Sequence, residues 1–286
     1  MPTKVEKDVV TGTHTTGHEW DGIKELNTPL PKWWLYVLWA TVVWSAVYFV
    51  LYPSVPWFTG YFKGVLGYSQ RVTLENALKD ARAAQAKYRT KIKTATPAAI
   101  LKDDELRSFA IAGGRSAFAD NCAPCHGPGG GGRPGAPVLA DDDWLWGGTI
   151  EQIYQTVRYG VRSGHDEARA GDMPAFANDD TLKPDQISAV ADYVLALSGK
   201  GTATEAGRKI FADNCAACHG ANAKGNSGVG APNLTDAIWL YGRGKKAIVS
   251  QVSMPKHGVM PSWTGRLDAE TIKMLAVYVH TLGGGK

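Results

Sequence analysis

Every cysteine of the chain sits in one of two stretches, Cys122-Ala123-Pro124-Cys125-His126 and Cys215-Ala216-Ala217-Cys218-His219. Two thiols at this spacing can each form a thioether to a porphyrin edge, while the adjacent His turns its imidazole under the ring as an iron ligand. C-x-x-C-H is the attachment motif of c-type haem. A redox dithiol of the thioredoxin kind needs a strand–helix context, and neither copy sits in a βαβ pattern. A structural zinc site would have to draw on both copies at once and would leave the rest of each stretch unexplained. The spacing points to two covalently attached haems c.

His126 and His219 are then the proximal iron ligands, and each iron needs a sixth. Met is the electron-transfer choice, because a Met/His pair raises the potential and closes the iron to substrates. For the iron at His126, within the first domain, the only Met is Met173, in Asp172-Met173-Pro174-Ala175-Phe176, with His165 as the alternative. For the iron at His219, within the second, the choice is among Met254-Pro255, Met260-Pro261 and Met274. Met260-Pro261-Ser262-Trp263 repeats the M-P-x-aromatic pattern, so Met260 is preferred, with Met254 the alternative and His257 behind it. Met274 falls on the last helix, where core packing is its role. Two irons closed in this way relay electrons, and no catalytic group is called for. Tyr154, Arg158 and Tyr159, and Arg243 after residue 200, are candidates to meet haem propionates. Gly127-Pro128-Gly129-Gly130-Gly131-Gly132-Arg133 lacks the G-K-[ST] ending of a phosphate loop and reads as a haem-edge loop.

The elements that must position these groups come as a repeat. Residues 114–122 (GRSAFADNC) match 207–215 (GRKIFADNC). Gly135-Ala136-Pro137 and Trp144 match Gly230-Ala231-Pro232 and Trp239, and 187–199 match 272–284. Repetition in this order means two copies of one domain, 108–199 and 200–286. Each reads helix, C-x-x-C-H, Gly/Pro-rich loop, middle helix, Met-Pro loop and final amphipathic helix. That order resembles the small class I cytochrome c fold. In that family a Gly on the first helix lets the last helix cross closely against an aromatic, and the resemblance pairs Gly114 with Tyr193 and Gly207 with Tyr278.

Ahead of the repeats, residues 33–52 run without a formal charge. As a helix they span about 30 Å, the thickness of a bilayer core. Trp33, Trp34 and Tyr36 at one end and Tyr48, Phe49 and Tyr52 at the other fit interfacial belts. The run is too long for a signal peptide, follows 32 polar residues and meets Pro53-Ser54-Val55-Pro56 instead of a small-x-small cleavage site, so it reads as a retained anchor. Residues 1–32 read as a flexible arm. Residues 53–107 read as a linker with a helix near 69–93, ended by Pro97. Lys24 and Lys32 before the span balance Lys63 and Arg71 after it, so charge leaves its orientation open. The net charge of +4 is too small to point to nucleic acid. Its distribution is uneven, net −6 over 108–199 and +6 over 200–286. On that split the first domain would attract a basic donor, and the second would rest on an acidic neighbour.

The arm carries the most specific resemblance. Thr16-Gly17-His18-Glu19-Trp20-Asp21-Gly22-Ile23-Lys24-Glu25-Leu26-Asn27-Thr28-Pro29-Leu30-Pro31-Lys32-Trp33-Trp34 resembles the signature opening the dihaem subunit of bacterial cbb3-type cytochrome c oxidase. The resemblance implies a mainly α chain, one N-terminal transmembrane helix and then two tandem class I cytochrome c domains. It also implies a cytoplasmic N-terminus in the inner membrane and haem domains in the periplasm. Electrons would pass from a donor c-type cytochrome to the oxidase's monohaem c subunit, then to the haem b and haem b3–copper centres of its catalytic subunit. Two other readings stand beside it: a free-standing membrane-anchored dihaem carrier, and a dihaem peroxidase, which would need an iron open to substrate.

Overall fold

Asp21-Gly22 is a turn sequence, and both residues hold a left-handed backbone, with φ of 51° and 84°. That geometry matches the twist of two antiparallel strands, and it closes β1 (Thr15–Trp20) onto β2 (Ile23–Leu26) with Trp20 opposite Ile23. The arm is therefore a β-hairpin, and the expectation of a flexible segment is corrected. In this computed structural model residues 4–178 and 181–283 are described. Residues 1–3 of the arm, 179–180 of the first repeat and 284–286 of the second lie outside the described residues.

The uncharged run forms α1 (Lys32–Leu51), one residue earlier than expected and with no side chain buried by the rest of the chain. It is the one helix among the described residues long and apolar enough to cross a membrane. Its last carbonyls would be orphans. The N–H groups of Val65 and Leu66 reach back to the carbonyls of Val50 and Leu51 at 2.9 and 3.1 Å. Between them lies a small hairpin, β3 (Pro56–Trp57) with β4 (Gly60–Tyr61).

The chain divides into two compact units, residues 1–84 and 85–286. The linker helix α2 (Gln70–Thr94) begins in the first, and its last turns belong to the second. There Ile92 is fully buried and Tyr88 stacks on Phe109 at 4.8 Å between ring centroids. Lys273 donates to the carbonyls of Ile92, Lys93 and Ala95 at 3.0, 2.8 and 2.7 Å, which satisfies the open end of α2. The linker helix thus ends docked on a core. Pro97 stands at the start of α3 (Pro97–Lys102), where its missing N–H costs nothing.

The first repeat supplies α4 (Asp104–Asn121), α5 (Ala123–His126), α6 (Ile150–Tyr159) and α7 (Pro184–Leu197). The second supplies α8 (Glu205–Asn214), α9 (Ala216–His219), α10 (Lys245–Ser253) and α11 (Ala269–His280). Their order is the one read from the sequence, but their partners are exchanged. Helix α4 packs on α11, and α7 packs on α8 and α10. A Cβ on Gly114 would strike the carbonyl of Met274 and the Cβ of Tyr278. One on Gly207 would come within 2.5 Å of the Ala189 carbonyl and 2.9 Å of the Tyr193 Cβ. The glycine–aromatic crossing exists twice, as Gly114 with Tyr278 and Gly207 with Tyr193, and the pairing within each repeat is corrected.

Two cores result. One gathers Phe118, Ile150, Ile153 and Val157 from the first repeat with Trp263, Ile272 and Leu275 from the second. The other runs through one stretch of chain, from Phe176, Ile187 and Val190 to Phe211, Ile248 and Val252. A boundary between residues 199 and 200 therefore divides the sequence repeat but not the cores. The charge split disappears with it. Residues 173–252, which hold the second core, carry 8 Lys/Arg against 7 Asp/Glu, close to neutral.

The exchange predicts where damage travels. Gly114→Ala, an overpacking change worth about 1–3 kcal/mol, should raise amide hydrogen exchange in peptides from 269–280 and leave 184–197 near wild type. Gly207→Ala should do the reverse, as read by mass spectrometry on the detergent-solubilised chain.

Candidate haem-binding sites

Both motifs begin at a helix end. Cys122 and Cys215 take helical backbone angles as the residues before α5 and α9, and the N–H groups of His126 and His219 donate to their carbonyls at 2.9 Å. Positions i, i+3 and i+4 share one helix face. Each pair of thiols and its His are thus presented together. Cys125 and Cys218 are exposed, Cys122 and Cys215 half-buried. Burial, with the neighbouring cysteine adding to it, pushes the Cys122 and Cys215 thiols up to about 11.

The aligned Gly-Ala-Pro loops orient the imidazoles. Nδ1 of His126 lies 3.0 Å from the Pro137 carbonyl, and Nδ1 of His219 lies 3.0 Å from the Pro232 carbonyl. A carbonyl only accepts, so each Nδ1 carries the proton and Nε2 keeps its lone pair for a metal. Burial holds both imidazoles below the usual His range, against the opposing pull of those carbonyls. Burial thus favours the neutral imidazole, the ligand form.

An apolar cleft opens beside α5. Cys122, Cys125 and His126 line it together with Phe118, Leu139, Trp144, Ile153 and Val157 of the first repeat. Met260, Pro261, Trp263 and Val279 of the second repeat line it too. Met260 is held there by a two-way backbone bridge: Val161 N–H to its carbonyl at 3.0 Å, and its N–H to the Val161 carbonyl at 2.9 Å. Trp263 N–H donates to the carbonyl of Arg158 at the end of α6, at 3.2 Å. The other methionine loop makes the equivalent crossing. Phe176 N–H donates to the carbonyl of Val252 at the end of α10, also at 3.2 Å. Met173 packs against the second core, as do Cys215 and Ala216.

The rival candidates lie elsewhere. Met254 is 64% exposed, and Met274 is buried against Gly113 and Gly114. The ring of His165 meets that of Tyr159 at a tilt, 4.6 Å between centroids, and Nδ1 of His257 sits 3.4 Å from Asp172. Arg158 lies over the rings of Tyr159 and Tyr154, at 4.8 and 5.9 Å, and none of the three lines the cleft. Arg162 does line it, and the sequence reading passed it over. So do Trp146 and Tyr241. Trp146 packs on the backbone of Gly230, in the loop that holds His219. Tyr241 lies beside Gly135, in the loop that holds His126. The second pair could have been found by extending the Trp144–Trp239 alignment by two residues.

The family model for the N-terminal domain of cytochrome oxidase-cbb3, FixP, matches residues 12–59. That for cytochrome c oxidase, cbb3-type, subunit III matches 109–194 and again 202–279. The chain belongs to the cbb3-type cytochrome c oxidase subunit III family. It is 53% identical over 285 residues to the cbb3-type cytochrome c oxidase subunit FixP of Bradyrhizobium sp. (strain ORS 278), covering 98% of both chains. It is 50% identical over 291 residues to the subunit CcoP of Azospirillum brasilense, covering 98% of this chain and 99% of that one. Members of the subunit III family are cytochromes c, so the family implies haem c as the cofactor. Beside α5 the residues present fit it: free thiols and an imidazole on one helix face, that imidazole's Nδ1 held by a carbonyl, and an apolar cleft that Met260 also lines.

Proposed function

We propose that the chain is a membrane-anchored electron-transfer subunit with two haems c, serving a cbb3-type oxidase. The observation that carries the reading is the cleft in which Met260 of one repeat joins Cys122, Cys125 and His126 of the other. The first haem is bound by Cys122 and Cys125, with His126 and Met260 as iron ligands. The second is bound by Cys215 and Cys218, with His219 and Met173 as ligands. Haem c, when bound, supplies a one-electron couple, and Met/His ligation sets it at high potential. The chain's own residues do the rest. The Pro137 and Pro232 carbonyls hold each Nδ1 proton and so fix the imidazole tautomer. Phe118, Ile153 and Val157 keep water from the first site. A methionine on each iron leaves no position for a substrate, which disfavours the peroxidase reading.

α1 anchors the chain in the bacterial inner membrane, with the N-terminal hairpin in the cytoplasm and the repeats in the periplasm. Electrons arrive from a c-type cytochrome and leave for the monohaem c subunit and the haem b/haem b3–copper subunit of the oxidase. The kinship with FixP and CcoP supports this assembly. Replacing Met260 or Met173 by His should lower the potential of one haem and leave the other near its wild-type value, as read by redox titration.

Mild-detergent purification through this chain should bring down haem b and copper, with two covalent haems c on the chain by pyridine haemochrome. Haem c alone, without oxygen consumption even after gentler extraction, would favour a free-standing carrier. One covalent haem per chain would overturn the dihaem assignment.

A further inference from the structure

The two methionine loops share a frame, Gly171-Asp172-Met173-Pro174 and Gly258-Val259-Met260-Pro261. Arg162 lies between them. Its Nη1 donates to the carbonyl of Gly171 at 2.7 Å, and its Nε donates to the carbonyl of Gly258 at 2.8 Å. Each carbonyl stands two residues ahead of a methionine. Asp172 comes within 3.7 Å of the same guanidinium, and the Arg162 side chain is 25% exposed. Partly buried charge-assisted hydrogen bonds are the strong ones, and a planar fork can serve two diverging acceptors where an ammonium on a flexible stem is not preorganised to do so.

The backbone at Arg162 is as constrained as its side chain. Its φ of 52° is uncommon for a residue with a Cβ. It is held by the Val161–Met260 bridge on one side and by its own N–H donating to the Arg169 carbonyl at 2.8 Å. Gly258 is gripped a second time, since its N–H donates to the Tyr241 hydroxyl at 2.8 Å.

We propose that Arg162 is the positioning residue for both methionine loops, so that the axial contact at each iron depends on one guanidinium. This rests on the reading that Met260 and Met173 are the axial ligands. A purely local role for Arg162 would be felt at one site. A shared clamp is felt at both.

The test uses the full chain, haem-loaded and in detergent, as Arg162→Ala and Arg162→Lys. Met173→His and Met260→His assign the spectrum of each site. In Arg162→Ala the red methionine-to-iron charge-transfer band of the ferric protein should weaken at both sites, and both reduction potentials should shift down. Arg162→Lys, which keeps the charge without the fork, should recover at most one site, and it keeps the question decidable where the alanine variant fails to load haem. A lysine variant with both bands and both potentials as in wild type, or an alanine variant altered at one site alone, overturns the clamp. A wild-type spectrum without such bands, or unmoved by Met173→His and Met260→His, overturns the ligand reading instead.

Discussion

Everything in the cytochrome region follows from two close helix crossings, α11 over Gly114 and α7 over Gly207. A glycine inside a helix costs about 1 kcal/mol against alanine, and here it lets backbone carbonyl and aromatic Cβ approach to where a side chain would stand. With α11 on α4, the loop that precedes α11 lies over α6, and Met260 lines the same cleft as His126. With α7 on α8, the loop that precedes α7 must lie over α10, and Met173 joins the core of Cys215. The second core then forms from one continuous stretch, while the first is assembled from chain on either side of it. Completing the first core requires closing a loop that contains the whole of the second. Such closure costs entropy that grows only slowly with length, so the arrangement is affordable in stability.

The chemistry was plain in the sequence, because two thiols and an imidazole at fixed spacing have few uses. The uncharged run, the linker helix and the order of elements were legible for similar reasons. What could not be read was which final helix meets which first helix. Residues 187–197 and 272–280 present the same amphipathic pattern, with Tyr193 and Tyr278 at equivalent positions, so packing within a repeat and between repeats satisfy it equally. Repetition reveals that two units exist and hides how they pair. The hairpin at Asp21-Gly22 is a different case: the turn dipeptide was visible, but the polar strands beside it gave no apolar face to pick out. Arg162 had no pattern to mark it, since its importance lies in two backbone carbonyls that only the fold brings together.

The exchange also changes how charge and coupling should be thought about. Neither core has the strong polarity that the two sequence halves show, so attraction of a basic or acidic partner must come from local patches and not from whole domains. Conversely, the two sites are mechanically joined. Trp146 and Tyr241 each leave one repeat to pack at the histidine-holding loop of the other, and Arg162 bonds both methionine loops. The docked end of α2, secured by Lys273 and Ile92, connects this joined body covalently to the membrane segment.

The most direct measurement is an experimental structure of the haem-loaded chain in which both iron environments are resolved. The exchanged fold predicts the Met260 sulfur on the iron of the haem held by Cys122 and Cys125, and the Met173 sulfur on the iron of the haem held by Cys215 and Cys218. Met173 opposite His126, or α7 packed on Gly114, would contradict it.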